Sequence, residues 1–367
     1  MKTILHTIDT TGPGGAETVF INLATCLPSD KYRAVVVIRG RGWVYEELCR
    51  RGVEPILMDA KGSLHWRYLG NLINLIRRER VDLIQSHLLG ANVYCSLAGW
   101  LTGVPVVATF HGSVDIGDKE RFRAAKFAAI NRGASRIIAV SAELLHDIGA
   151  RTSLKKNKTQ IIYNGIRCAD FQRQRSRQLR EQWGWSNHEF VIGSLGNIRR
   201  AKAYDVLLRA AALLMDQPVK FRFVIAGQPD KGDLYNNLLT LHKDLKLGDR
   251  VKFLGFIDDS ADYLANLDLF LSSSTSEGLP LSAIQAMAAG LPLLATRCGG
   301  YQELVTHQHN GWLVTPGDPQ ALADAIVLLA SDAALRETMA HNALQHVQAT
   351  FDERVMLAAY QAVYEQC

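Results

Sequence analysis

The sequence contains no apolar run approaching the roughly 20 residues that a membrane span requires. Its start, MKTILHTIDTTGPGG, meets polar and glycine residues too early for a secretory leader. The six cysteines (26, 49, 95, 168, 298 and 367) are scattered and form no CxxC pair, which argues against a zinc or redox motif and for free thiols in a reducing compartment. There is no spaced GxGxxG, which disfavours hydride transfer with a bound nicotinamide, and no helical HExxH for zinc. Low-complexity tracts, short repeats and helix-turn-helix or zinc-finger patterns are missing too, so nucleic acid is not the expected partner. A formal charge of +5 is modest for this length and suits an anionic small ligand or an acidic membrane surface. The expected location is the cytoplasm, with peripheral contact on the inner face of the cytoplasmic membrane.

What is present is a globular composition, 48% hydrophobic and 21% charged, over 367 residues, enough for two domains. Short β-rich runs alternate with helical stretches throughout, the pattern of parallel sheets covered on both faces. TILHTI, RAVVVI, VEPILM, VDLIQS, VPVVATF, RIIAV and QIIYN are the strands of an N-terminal Rossmann-like domain over residues 1–165. Residues 166–187 turn polar and basic and read as a linker and a helix leading onward. The alternation restarts with FVIGSLG, FRFVIAG, VKFLGF, LDLFLSS and LPLLAT in a C-terminal domain over residues 188–350. Residues 351–367 form a last helix expected to return to the first domain. Asp318 and Pro319 give the cap and first turn of another.

Chemistry concentrates where strands end. After the first strand, Gly14 and Gly15 let the backbone approach a ligand closely ahead of a helix N-terminus, with Glu17 in its first turn. His87 and His111 end two candidate parallel strands, whose carboxyl ends border the ligand crevice of such sheets. The second domain opens with Gly196, Asn197, Arg199, Arg200 and Lys202, a loop able to hold a diphosphate. Lys202 ranks first because it adjoins the next helix. In STSEGLPLSAIQAMAAGLP, Pro280 starts a helix and Gly290 ends it, which leaves Glu277 in the loop and Gln285 on the helix. Gly299 and Gly300 then form another strand-to-helix turn with N–H groups available for phosphate, followed by Glu303. Asp258 and Asp259 read as a solvated helix start.

In this order and at these distances, GGAE (14–17), SH (86–87), FHG (110–112), GNIRRAK (196–202), SEGLPLSAIQAMAAGLPLLAT (276–296), GGYQE (299–303) and NGWLV (310–314) resemble the retaining glycosyltransferases of family four. The resemblance covers nearly the whole chain. It implies the GT-B fold, two facing Rossmann-like βα domains with a central cleft. It implies sugar transfer from a nucleotide-diphosphate sugar to a hydroxyl of a saccharide or lipid-linked saccharide, as in cell-surface polysaccharide, lipopolysaccharide or other glycoconjugate biosynthesis. A UDP-sugar is the first candidate donor and a GDP-sugar the second; no cofactor and no metal are implied. By the same resemblance Glu277 holds donor-sugar hydroxyls, Lys202 contacts the diphosphate and His111 approaches the sugar. Gly14, Gly15, Asn197, Arg199, Arg200, Gln285, Gly299, Gly300 and Glu303 fall on the donor side, with Glu17 and His87 on the acceptor side. Retention proceeds in such enzymes by a front-side route in which the leaving phosphate helps deprotonate the incoming hydroxyl.

Three positions depart from the family pattern. Its usual Glu-x7-Glu is Glu277-x7-Gln285, which loses a charged acceptor for a ribose hydroxyl. The arginine usual before the lysine is Asn197, which leaves Arg199 or Arg200 to supply a clamp, and the glycine usual after it is Ala203. On the acceptor side, Arg121, Arg123, Lys126, Arg132 and Arg136, with Phe122, Phe127 and Ile130, form a surface for anionic lipid headgroups; Arg77, Arg78 and Arg80 add to it. Two other readings stay open: a nucleotide-sugar epimerase on the same scaffold, and a catalytically weak nucleotide-sugar binding or scaffold protein. Nothing in the sequence sets the oligomeric state.

Overall fold

The computed structural model describes residues 1–59, 65–186, 188–229 and 232–367. They divide into two compact units, Met1–Gly165 with Glu353–Cys367, and Ile166–Asp352.

The first unit is built on seven strands: β1 (Lys2–Ile8), β2 (Tyr32–Ile38), β3 (Ile56–Leu57), β4 (Leu83–His87), β5 (Val106–Phe110), β6 (Ala134–Ala139) and β7 (Thr159–Ile161). They pair in parallel in the order β3-β2-β1-β4-β5-β6-β7. The central strands β4 and β5 are buried along their whole length, as strands covered by helices on both faces are, and they carry Gln85, Ser86, His87 and Thr109 into the interior. Helix Trp66–Glu79 buries Tyr68, Leu69, Leu72, Leu75 and Ile76, a single stripe at helical spacing. Helix Glu353–Gln366 does the same with Met356, Leu357, Tyr360, Val363 and Tyr364, packed on Ile4, Leu83, Val107 and Ile138 of four adjacent strands. Every strand from β1 to β6 that these residues cover would expose apolar surface without that helix.

The second unit carries six parallel strands: β8 (Phe190–Leu195), β9 (Phe221–Ala226), β10 (Val251–Gly255), β11 (Leu269–Ser272), β12 (Leu293–Thr296) and β13 (Trp312–Val314). Their order is β10-β9-β8-β11-β12-β13. Residues 166–186, expected as a linker and leading helix, are part of this unit rather than a free connection; Asn187 lies outside the described residues. The reason is a buried anchor. Arg180 is fully buried, donates to the Asn266 carbonyl at 2.9 Å and pairs with Asp268 at 2.8 Å, and Trp183 and Trp185 are buried beside it. Removing one member of such a pair leaves the other charge uncompensated, so the segment is held firmly. Asp318 caps helix Pro319–Ser331 through the Gln320 and Ala321 N–H groups, and Asp259 caps helix Ser260–Ala265 in the same way.

Both strand orders reverse once, between β1 and β4 and between β8 and β11. At such a reversal the connections leave the sheet on opposite faces, which opens a crevice at the carboxyl ends of the strands. The residues singled out above cluster at these two places.

Candidate active site

In the second unit, the loop after β8 closes with a short 3-10 turn, Arg200–Lys202, which aims the Lys202 side chain at the loop after β11. Lys202 Nζ lies 2.6 Å from Glu277 Oε1, and Ser274 Oγ donates to the same oxygen at 2.7 Å. Ser273 Oγ donates to the Lys202 carbonyl, and the Thr275 N–H donates to the Ala201 carbonyl at 2.7 Å, so the two loops are stitched along both backbones. The lysine and glutamate side chains are 19% and 15% exposed, enough to meet a ligand and too little for water to screen them fully. Among the described residues, Glu277 Oε2 is left without a protein partner, an acceptor held ready by its occupied twin.

The turn after β12 is tied into the same structure. The Gly300 N–H donates to the Glu277 carbonyl at 2.9 Å, and a Cβ at position 300 would meet the Gly278 carbonyl oxygen at 1.6 Å. This corrects the expectation that both glycine N–H groups are available for phosphate: the Gly300 donor is committed to shaping the Glu277 loop. Glu303 lies just beyond, in the four-residue helix Tyr301–Leu304. Gln285 sits half-buried on helix Leu281–Ala288.

The three cations of the GNIRRAK loop part company. While Lys202 turns to Glu277, Arg199 and Arg200 are exposed and line a separate cavity of about 350 Å³ with Tyr204, Asp205, Leu234 and Asn237. Asn197 uses Oδ1 to accept the Gln228 N–H at 3.1 Å, which binds the loops after β8 and β9 together. Ala203 holds a left-handed backbone, φ 47° and ψ 46°, the conformation that accounts for glycine being usual at this place.

In the first unit, β4 and β5 are neighbours, and this places His87 and His111 together: His87 Nδ1 is 2.8 Å from His111 Nε2, with the rings stacked. Burial pushes His87 well below the usual imidazole range and His111 down to about 3, so both rings are neutral near pH 7. Sequence reasoning missed two carboxylates beside them. Asp115 Oδ2 accepts the backbone N–H of His111 at 2.7 Å, and burial pushes this acid up to about 6. Asp9, after β1, is also raised, first by burial, and accepts the Gly90 and Ala91 N–H groups. Both acids thus sit at the N-terminus of helix Leu89–Thr102, where the dipole favours negative charge. The signal was there to see: Asp9 directly follows a strand, and Asp115 lies four residues after a strand-end histidine.

Gly14 caps helix Gly15–Thr25, and Glu17 turns back over it while accepting from Thr10 Oγ1 at 2.6 Å. A carboxylate of the chain therefore already occupies this helix N-terminus. Beside Asp9 opens a cavity of about 550 Å³, walled by Tyr68, Tyr94, Leu97, Phe122 and Lys126 among others and mostly apolar. The basic surface expected over residues 121–136 is only partly free. Phe127 and Ile130 are buried in the core, Lys126 pairs with Glu120, Arg123 lies 3.5 Å from Asp118, and Arg132 stacks on Trp100. Among the described residues no helix is long and apolar enough to cross a membrane.

Two parallel-sheet Rossmann-like units, each with polar groups gathered at its own switch point, are the make-up of the GT-B fold. Comparison with known proteins agrees: residues 13–170 match the family described as Glycosyltransferase Family 4, and residues 175–346 match Glycosyl transferases group 1. The chain belongs to glycosyltransferase family 4. It is 29% identical over 301 residues to the N-acetyl-alpha-D-glucosaminyl L-malate synthase of Bacillus anthracis, covering 80% of this chain and 77% of that protein. The crystal structure of Anabaena HepE in complex with UDP superposes with a TM-score of 0.88 at 27% identity over the full length of both chains, and a UDP-glucose complex of HepE is similar at 26%. A glycosyltransferase from Rickettsia africae shares the fold, with a TM-score of 0.90 at 21% identity, 100% of this chain and 98% of that one.

Proposed function

We propose that this protein transfers a sugar with retention of anomeric configuration from a UDP-sugar to a hydroxyl of an amphiphilic, saccharide-bearing acceptor, without a metal ion. The observation that carries this reading is the Lys202–Glu277–Ser274 arrangement at the second switch point. Lys202 supplies positive charge for the leaving diphosphate, and Glu277 Oε2 accepts from donor-sugar hydroxyls. Charge that develops on the leaving phosphate is stabilised by groups already in place, which is where such sites gain most of their rate. Lys202 exchanges part of its interaction with Glu277 for the diphosphate, so donor binding releases the carboxylate to the sugar. Gln285 meets the ribose. The front-side route then needs no protein base, since the departing phosphate oxygen takes the proton of the incoming hydroxyl.

The acceptor belongs to the first unit. Its hydroxyl is met beside His111, and its apolar portion fills the cavity next to Asp9, whose walls are aliphatic and aromatic. The HepE complexes with UDP and UDP-glucose support uridine as the nucleotide.

The test is a panel of nucleotide sugars screened by calorimetry, then transfer to lipid-linked and soluble saccharides in the presence of EDTA, with the anomeric configuration of the product read by NMR. Retained configuration, EDTA-resistant turnover and preference for amphiphilic acceptors are expected. Conversion of the donor without acceptor identifies an epimerase instead, and donor binding without turnover across the panel identifies a binding protein.

A further inference from the structure

We propose that the C-terminal helix decides which nitrogen of His111 carries its proton, through a relay from Tyr364 to Gln85 to His87, leaving His111 with an Nδ1–H donor and a bare Nε2. The relay lies wholly within the first unit. Tyr364 Oη donates to Gln85 Oε1 at 3.0 Å. The other end of that amide, Nε2, donates to Thr109 Oγ1 at 2.9 Å, lies 3.4 Å from the Ser86 carbonyl and 3.2 Å from His87 Nε2. His87 Nδ1 then meets His111 Nε2 at 2.8 Å.

The direction of the amide settles the rest. Were it reversed, the Tyr364 hydroxyl would lose its only hydrogen-bond acceptor among the described residues, and the Ser86 carbonyl would face an oxygen instead of an N–H. A buried donor without an acceptor and two apposed acceptors are both unfavourable. One hydrogen of this NH2 goes to Thr109 Oγ1, and the other lies between His87 Nε2 at 3.2 Å and the Ser86 carbonyl at 3.4 Å. Since an amide nitrogen does not accept, a proton on His87 Nε2 would face a donor, so the His87 proton sits on Nδ1 and is donated to His111 Nε2. Both rings are uncharged, for burial depresses each. His111 therefore carries its single N–H on Nδ1, an atom that is itself buried and has no hydrogen-bond partner among the described residues. A buried N–H donor without a partner carries a cost that a ligand oxygen would relieve.

Two consequences follow. His111 acts toward substrate as a neutral hydrogen-bond donor, suited to a hydroxyl or ring oxygen, and not as a base through Nε2, whose lone pair is already engaged. Tyr364 and Gln85 are positioning residues, although Tyr364 stands 253 positions away from His111 in the chain. The functional half of this inference rests on the proposed reading of His111 as a substrate contact; the tautomer does not.

The experiment uses full-length protein with 15N-labelled histidine rings and long-range 1H–15N correlation at pH 7.5, with His111 assigned from a His111→Asn spectrum. His111 protonated on Nδ1 is expected, and His111 protonated on Nε2 overturns the proposal. In Tyr364→Phe, which keeps the ring, a second His111 tautomer is expected to appear. kcat should fall about tenfold, with the donor KM within about twofold, because a misplaced proton weakens the transition state more than binding. An unchanged single tautomer in Tyr364→Phe and in Gln85→Met overturns the part given to the helix. His111→Asn, whose amide N–H falls near Nδ1, is expected to keep more kcat than His111→Gln. Full turnover in both would remove the substrate role of His111 while leaving the tautomer result standing.

Discussion

The two switch points share one topology and carry opposite chemistry. In the second unit the reversal between β8 and β11 presents an ion pair, Lys202 with Glu277, on partly exposed loops. In the first unit the reversal between β1 and β4 presents groups driven toward neutrality, His87 and His111 pushed down and Asp9 and Asp115 pushed up, all mainly by burial. Charge is thus kept at one switch point and suppressed at the other. Fold fixes where the loops gather, and the side chains decide which half of a transfer each crevice can serve.

The strongest way to break this contrast is Glu277→Ala. Turnover should fall by at least about 100-fold, the scale on which single groups at a developing charge matter, with circular dichroism and melting close to the parent. Equal turnover would show that the ion pair is not the donor site. Acid should separate the units next. His6 and His111 have folded pKa values lowered to about 3, so the stability each contributes above pH 6.5 is lost as pH falls through that window. At pH 5 this is about 2 kcal/mol per ring, and His87 adds in the same direction. Asp115, raised to about 6, has the opposite sign and returns about 1 kcal/mol over the same drop. Hydrogen exchange at pH 7.5 and pH 5 should therefore show protection lost mainly in β1, β4 and β5; equal loss in β8 and β11 would contradict the contrast.

Gln285→Glu sharpens the donor side: restoring a charged acceptor should tighten donor binding about three- to tenfold with kcat nearly unchanged, measured by calorimetry against single-turnover rates. Binding constants left unchanged by the substitution for every candidate donor would remove Gln285 from the ribose. The smallest effect expected is from Ala203→Gly, which relieves a left-handed alanine. A gain of up to about 1 kcal/mol in urea unfolding is expected, somewhat offset by the freer unfolded chain.

Much of the fold was legible because parallel strands buried on both faces write themselves as continuous β-branched runs. β2, β5, β8 and β9 lie on runs of this kind, and β1, β4 and β11 overlap the runs TILHTI, VDLIQS and LDLFLSS. The short edge strand β13, three residues inside NGWLV, was not, since three residues have no readable period. The polar stretch at 166–186 misled for a different reason. Its basic composition looked solvated, yet Arg180 is buried because Asp268 and two backbone carbonyls wait for it, a partner set 86 to 88 positions away for the closest bonds. In the candidate site, Glu277, Lys202, His87 and His111 were recognisable from their places after strands. Gln85 was not, because its importance comes from its contacts with His87, Thr109 and Tyr364, whereas Asp9 and Asp115 had only a place near strand ends to mark them. The rank of Lys202 over Arg199 and Arg200 was legible, and the turn that parts them supplies its reason.

The helix Glu353–Gln366 has a bearing on how the chain is made. The sheet it covers is translated first, and the whole of Ile166–Asp352 must be synthesised before its cover exists. At 5–20 residues per second, that leaves the apolar backs of β1, β4 and β5 bare on the ribosome for roughly 10 to 40 seconds. A stop codon at position 356 would remove Met356, Leu357, Tyr360, Val363 and Tyr364, and with them the cover this helix lays on the sheet, from a chain whose second unit is already complete.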